Sequence, residues 1–300
     1  MGITLRETIR EISRKHLKLG NRLYGQCLTA VGWVGGTIPE LTEKEGLVEL
    51  PMADVMVGGV VVGDALTGGR PIYVVRYQGF QWYNSPIITN YAGKSKEVWR
   101  VSCPVFIRSI AMEGGIGPVA GCSHHGIYYR MPGIKIASPM TPNEYKEVYE
   151  DYMSGDETVY VSEHRKSYEN SEQSEDIVFN NPDFVLFPFS ITRFNSIEAS
   201  KKLLEKKIKA SVFNQVWINP LKIEKEQINN LKNSKYGGVV LDDDYPNGIA
   251  KQIAHELMLK TGKKVYVLCI KEKTAGFQPH NDNVSPSVEE IFHFVKTKCG

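Results

Sequence analysis

The spacing of apolar residues changes period along this chain, and the changes mark its elements. At the N-terminus Leu5, Ile9, Ile12 and the pair His16/Leu17 recur at helical spacing, which predicts an amphipathic surface helix. Further on, short runs rich in β-branched and aromatic residues occupy 72–77, 104–108, 134–137 and 158–162, then 184–187, 211–217, 238–241 and 265–270. Helix-length segments separate most of these runs. That alternation predicts an α/β fold with parallel strands rather than an all-β sandwich. Two helix starts are written in side-chain chemistry. Thr141 can cap, Pro142 suits the first helical position and Glu144 completes a capping box, so a helix opens there. Ser285-Pro286 is read as the start of a C-terminal helix whose Val288, Ile291, Phe292 and Val295 make a core-facing stripe.

Residues 164–182 break the pattern, being rich in Ser, Asn and Glu and poor in aliphatics, which is linker composition. With 300 residues, about twice the usual domain length, the chain is expected to divide into a first domain over 1–170, a linker over 171–182 and a second domain over 183–300. A hydrophobic content of 42% supplies material for two cores. The 36 basic and 34 acidic residues leave a net charge of +2 with no basic stripe, so nucleic acid is not the expected partner. The longest uncharged apolar stretch, 55–63, is far short of the roughly 20 residues a membrane helix needs. Five scattered cysteines without a CxxC pair fit neither a zinc ribbon nor a disulfide framework, and reduced thiols in a cytoplasmic protein are expected.

Three segments could carry chemistry. Asp54 is a lone acid at the edge of the apolar, glycine-containing stretch 51–64. Partial desolvation would suit it to proton transfer, and the alternative is an aspartate that caps a helix. A glycine-rich loop over 114–126 ends in His124 and His125, which either carry protons near a ligand or decorate a surface turn. Asp242, Asp243 and Asp244 follow a strand and suit a divalent ion or the first turn of the next helix. Gly68-Gly69-Arg70-Pro71 reads as a turn.

Taken together, these segments resemble the beta subunit of the first component of 2-oxoacid dehydrogenase complexes, and more widely the second half of transketolases. The likeness is carried by the N-terminal 4–10, by Val48-Glu-Leu-Pro-Met-Ala-Asp54 with Gly59 and Gly63, by the aromatic segment 80–94, and by Ser123-His124-His125-Gly126. Pro132-Gly-Ile-Lys-Ile-Ala-Ser-Pro139-Met-Thr-Pro142 is its most specific piece, and 187–193 and 274–277 resemble the family's C-terminal domain more loosely. The resemblance implies two α/β domains, each a mostly parallel sheet flanked by helices: a thiamine-diphosphate pyrimidine-binding domain and a transketolase C-terminal-like domain.

It also implies a chemistry. Thiamine diphosphate is the expected cofactor, with Asp54 as the carboxylate that engages the pyrimidine ring, Tyr77 and Phe80 as its aromatic wall, and His124 and His125 facing substrate. An alpha subunit would hold the diphosphate and Mg2+ in an assembly of two alpha and two beta chains. Gly63-Asp64-Ala65 with Asn90 only crudely resembles the Gly-Asp-Gly element of that other half. Where the family has Glu, this chain has Asp54, one methylene shorter. Its Gly-Glu-Asp-Val is here Gly25-Gln-Cys-Leu28, and the stretch from His124 to Pro132 is shortened. The expected function is a beta subunit that decarboxylates a 2-oxo acid and transfers the acyl fragment. The alternatives are a split transketolase or carboligase, and a non-catalytic subunit that keeps the fold.

Overall fold

The structure is a computed structural model that describes residues 2–113, 116–117 and 119–300. It falls into two compact units, the first formed by 1–112 and 124–173 and the second by 113–123 and 174–300. The change of unit between Gln173 and Ser174 falls in the polar segment, whereas the return of 113–123 to the second unit has no counterpart in the linear division expected from composition.

In the first unit the elements run α1 (Leu5–Lys18), β1 (Leu23–Gln26), α2 (Ala30–Gly36), β2 (Leu47–Leu50), α3 (Asp54–Leu66) and β3 (Ile72–Val75). There follow α4 (Gln81–Ile87), which passes into a π-helical turn at Ile88–Ala92, then α5 (Ser95–Trp99), β4 (Phe106–Ala111), β5 (Ile134–Ala137), α6 (Pro142–Ser154) and β6 (Thr158–His164). Six strands pair in parallel in the order β2-β1-β3-β4-β6-β5. Every residue of β3, β4 and β6 is buried, as in a sheet covered on both faces. Thr141 closes the expected capping box with Glu144, and Thr4 closes a second one with Glu7. Gly68 turns the chain at φ 98°, and Arg70 then donates at 2.8 Å to the carbonyls of Tyr152 and Gly155 at the end of α6.

The register of β4 and β6 sorts their polar residues onto opposite faces. Arg108 lies across from Val161 and Ser109 from Ser162, so Arg108 and Glu163 share one face while Ser109 and Ser162 share the other. On the first face Arg108 Nε donates to Glu163 Oε1 at 2.7 Å and Nη2 to Oε2 at 3.0 Å, both side chains being buried. Tyr145 from α6 and Tyr168 each donate to the same carboxylate at 2.6 Å, and Arg108 Nη2 also reaches Thr37 Oγ1 at 3.0 Å. Burial opposes the charge on Arg108, but Glu163 outweighs it and raises the pKa above its ordinary value. Burial, then the Glu163 charge, likewise pushes the Tyr145 and Tyr168 hydroxyls up.

Thr37 ends an unusual segment. Gly32, Trp33, Val34, Gly35 and Gly36 have φ of 60°, 56°, 53°, 64° and 76°, so α2 coils left-handed through successive residues. Only the glycines adopt this without penalty; Trp33 and Val34 cost about 1–2 kcal/mol each.

The second unit contains β7 (Phe184–Pro188), α7 (Thr192–Glu205), β8 (Ala210–Val212), β9 (Trp217–Asn219), α8 (Lys225–Lys232), β10 (Gly238–Leu241), α9 (Ile249–Thr261), β11 (Val265–Leu268) and α10 (Val288–Cys299). Its four-stranded sheet, β11-β10-β7-β8, is also wholly parallel. Phe184, Leu186, Val212, Val239 and Leu241 meet Ala199 and Leu203 of α7 and Ile291 and Val295 of α10 in one core. Both sheets therefore match the α/β, mostly parallel architecture expected from the sequence. Three details differ. The run 211–217 is two short strands, β8 and β9, rather than one. The last helix is capped by Ser287, which makes a capping box with Glu290, and not by Ser285. Asp242–Asp244 precede α9 instead of occupying its first turn; all three are buried, and Ser123 donates to Asp243 Oδ2 at 2.7 Å. Among the described residues no helix is long and apolar enough to cross a membrane.

Two predictions follow from the first unit. Glu163→Gln leaves the buried Arg108 charge uncompensated and should cost about 3–5 kcal/mol, while Tyr168→Phe removes one hydrogen bond to a charge and should cost about 1.5–3 kcal/mol. Urea unfolding of both variants checks the order. His16 is fully buried with Nδ1 3.0 Å from the Tyr149 hydroxyl, and burial lowers its pKa to about 4. Its unfolded form titrates near 6.5, so its contribution is complete above that pH and is lost as pH falls from there towards 4, by up to about 1.4 kcal/mol per unit. His16→Gln should flatten the fall in stability between pH 6.5 and 5, a window above most carboxylate titration, when unfolding is followed across that range.

Candidate active site

Parallel strands present ligands at their carboxyl ends, and there the first unit has its cleft. An open space of about 170 Å³ lies beyond the ends of β1 and β3 and beside the start of α3, lined among others by Met52, Asp54, Tyr73, Arg76, Tyr77 and Phe80. Asp54 is the first residue of α3, where the helix dipole favours a negative charge, and it is half-buried. It is thus a first-turn aspartate rather than the N-cap, which is Ala53.

The cleft has a rigid floor. Tyr73 is buried on β3, its hydroxyl donating to Asn84 Oδ1 of α4 at 3.0 Å. Burial, with the Asp54 charge adding to it, raises the Tyr73 pKa and keeps the phenol protonated. Asn84 can stand there because position 58 is glycine; a Cβ on Gly58 would come within 2.6 Å of Asn84 Oδ1. The fit of α3 against α4 therefore sets where Asp54 starts. In the same lining, Tyr77 and Phe80 pack with ring centroids 6.0 Å apart, and the Arg76 guanidinium lies 5.9 Å from the Tyr77 ring centre.

His124 and His125 are not part of the lining of this cleft. They belong to the first unit, where His125 opens a short 3-10 turn at His125–Tyr128. His125 is fully buried with Nδ1 3.1 Å from Ser162 Oγ. His124 is half-buried with its ring edge-on to Trp82 at 6.4 Å, and burial, reinforced by neighbouring His125, lowers its pKa to about 4. Its imidazole is therefore neutral at pH 7. Of the glycine-rich loop before them, Gly114, Gly115 and Pro118 lie outside the described residues.

One residue the sequence did not single out ties the two groups together. Gln78, between Tyr77 and Phe80, is fully buried and donates from Nε2 to Ser162 Oγ at 2.8 Å, while its Oε1 accepts the His124 N–H at 2.6 Å. Gln81 donates to Ser109 Oγ at 3.4 Å and accepts from the Tyr128 hydroxyl at 2.6 Å. No sequence signal marks these glutamines, because buried amides find their partners on strands distant in the chain.

The outer side of α3 is apolar and open. Val55, Met56 and Val60 are exposed, a Cβ on Gly59 or Gly63 would meet nothing within 4 Å, and Met52, Trp82 and Tyr83 are also exposed. Exposed apolar residues gathered around one helix mark an interaction surface.

Residues 29–171 match the family described as transketolase, pyrimidine binding domain. The chain is 26% identical over 234 residues to the 2-oxoisovalerate dehydrogenase subunit beta of Bacillus subtilis, covering 70% of this chain and 69% of that protein. To the pyruvate dehydrogenase E1 component subunit beta of the same organism it is 23% identical over 276 residues, covering 85% and 84% respectively. In fold it is similar to a split gene transketolase, solved as an inactive beta4 tetramer, with a TM-score of 0.72 at 13% identity over 100% of this chain and 99% of that one.

Proposed function

We propose that this E1 beta-like chain of the transketolase superfamily is the pyrimidine-binding half of a thiamine-diphosphate enzyme, which decarboxylates a 2-oxo acid and passes the acyl fragment to an acceptor. The observation that carries this reading is the convergence of Asp54, Tyr77 and Phe80 on one cleft at the carboxyl ends of β1 and β3. An aminopyrimidine needs an apolar slot with a carboxylate at its edge. The residues present fit that half of the cofactor: aromatic and aliphatic walls, one acid, and a protonated Tyr73 beneath.

When bound, thiamine diphosphate supplies a nucleophilic thiazolium carbon for attack on the 2-oxo carbonyl. Asp54 would hold a proton between its carboxylate and the pyrimidine ring nitrogen, and so favour the imino form of the ring. Tyr77 and Phe80 would stack the pyrimidine and keep water from it. His124, neutral at pH 7, would meet substrate through a ring N–H donor or a ring nitrogen acceptor rather than through a mobile proton.

The remaining half, a site for the diphosphate and Mg2+, is assigned to an alpha subunit in an assembly of two alpha and two beta chains. The open apolar side of α3 begins at Asp54 itself, so a partner seated on it would bring its groups to the cleft.

The test is hydrogen–deuterium exchange at the thiazolium carbon in the assembled complex. Asp54→Asn keeps the size and removes the charge, so exchange should slow roughly 10²–10⁴-fold with the fold intact. Asp54→Glu restores the longer side chain of the family and should keep part of the rate. Equal rates in wild type and Asp54→Asn would contradict the assignment, and no exchange in either would favour a non-catalytic subunit.

A further inference from the structure

We propose that the amino end of the second unit's sheet is a docking surface for an acidic segment of a partner protein, a run of Asp and Glu side chains. In a parallel α/β unit the chain turns from each helix into the next strand at this end, away from the carboxyl ends where ligands bind. Register sets those turns side by side: Gly238 lies across from Val265 and from Val185, and Phe184 from Ala210. With strands about 4.8 Å apart, the row spans about 15 Å. Backbone bonds tie its members together. Lys235 N donates to Pro182 O at 3.0 Å, Asp183 N to Lys209 O at 2.8 Å and Gly238 N to Lys264 O at 3.0 Å.

This row is basic throughout. Segments 206–209, 232–235 and 260–264, which lead into β8, β10 and β11, together with 296–298 at the end of α10, hold ten lysines and no acid. The end of α10 belongs with them, since Lys298 lies 4.7 Å over the Tyr266 ring that Lys264 overlies at 4.8 Å. Only Asp183 and Glu205 flank these segments, and the whole chain has a net charge of +2, so the rest of the molecule is net acidic. Helix dipoles account for four of the ten: Lys232, Lys260, Lys296 and Lys298 sit in the last turns of α8, α9 and α10. The other six lie beyond the helix ends. Lys263 donates to the Ser234 carbonyl at 2.6 Å, and among the described residues none of the ten lies within ion-pair distance of a carboxylate. Such a gathering repels itself and steers an oppositely charged surface towards it.

The chemistry of the face favours carboxylates over other polyanions. Phosphate recognition exploits the planar fork of arginine, and these four segments contain no arginine; the point charge of lysine meets a carboxylate in any orientation. Single-stranded nucleic acid needs free aromatic faces on which bases stack. Here Lys235 overlies Tyr236 at 4.7 Å, and Tyr266 is stacked on Phe184 besides carrying its two lysines. A membrane would be gripped by an apolar wedge beside the charges. The exposed large apolar side chains in the last turns here are Leu204 of α7, which packs on α10, and Leu259 of α9, which packs on α8, so they make no shared wedge.

Fluorescein-labelled octaglutamate, titrated into the full-length chain and followed by anisotropy, tests the surface. It should bind at low salt and weaken as salt rises, whereas octaglutamine should not bind. The triple variant Lys206→Gln/Lys207→Gln/Lys209→Gln should weaken octaglutamate roughly tenfold, and adding Lys235→Gln and Lys264→Gln should bring the loss to roughly a hundredfold. All five side chains are exposed, so thermal unfolding of the variants should match wild type. Lys15→Gln, Lys18→Gln and Lys44→Gln, three exposed lysines of the first unit, should together leave the affinity unchanged. No binding of octaglutamate at low salt, or equal affinity in the five-lysine variant, would overturn the proposal. Tighter binding of charge-matched DNA or of phosphatidylserine vesicles through the same lysines would overturn it as well, in favour of a nucleic acid or a membrane.

Discussion

The buried pair of Arg108 and Glu163 is the constraint around which the first unit is arranged. Two charges taken out of water are tolerated only when their geometry is good and their remaining valences are filled. Filling most of them recruits Tyr145 from α6, Tyr168 from beyond β6, and Thr37 from the end of the left-handed turn, and leaves Arg108 Nη1 without a hydrogen-bond partner. Three segments outside the sheet are thereby fixed to the same two strands. Because side chains alternate along a strand, the neighbours of the pair, Ser109 and Ser162, face the other way and receive Gln78, Gln81 and His125. One strand pair thus carries the ion pair on one face and, on the other, the amides that hold the aromatic wall and the histidines.

Short-range features of this arrangement were legible in the sequence. The Thr141–Glu144 capping box marks α6, and the strands 134–137 and 238–241 coincide with β5 and β10. The short β1 and β2 escaped notice because Leu-Tyr-Gly-Gln and Leu-Val-Glu-Leu contain too few apolar residues for a run; their strand character comes from pairing with each other and with β3. The run 211–217 was read as one strand because periodicity cannot register the polar interruption Asn214-Gln215, where Asn214 turns to Asp176.

The site was legible in part. Asp54, Tyr77 and Phe80 were chosen by resemblance, and they line one cleft although 26 residues separate Asp54 from Phe80. The histidines were singled out without the residue that positions them. Gln78 carries no signal of its own until Ser162, 84 positions away, is folded against it. The same holds for Arg108 and Glu163, 55 positions apart, each of which reads alone as a surface charge. Long-range polar pairing leaves no periodic trace; that is why the fold class was readable when the network behind it was not.

The central claim is that this chain holds half of a composite cofactor site. Its cleft is lined by a carboxylate and aromatic side chains, and the side of α3 that begins at the cleft is apolar and exposed. Calorimetric titration of thiamine diphosphate with Mg2+ tests this most directly, first into the purified chain and then into the chain assembled with its alpha partner. The account predicts weak binding by the chain alone and tight, magnesium-dependent binding by the assembly. Tight magnesium-dependent binding by the isolated chain would contradict it.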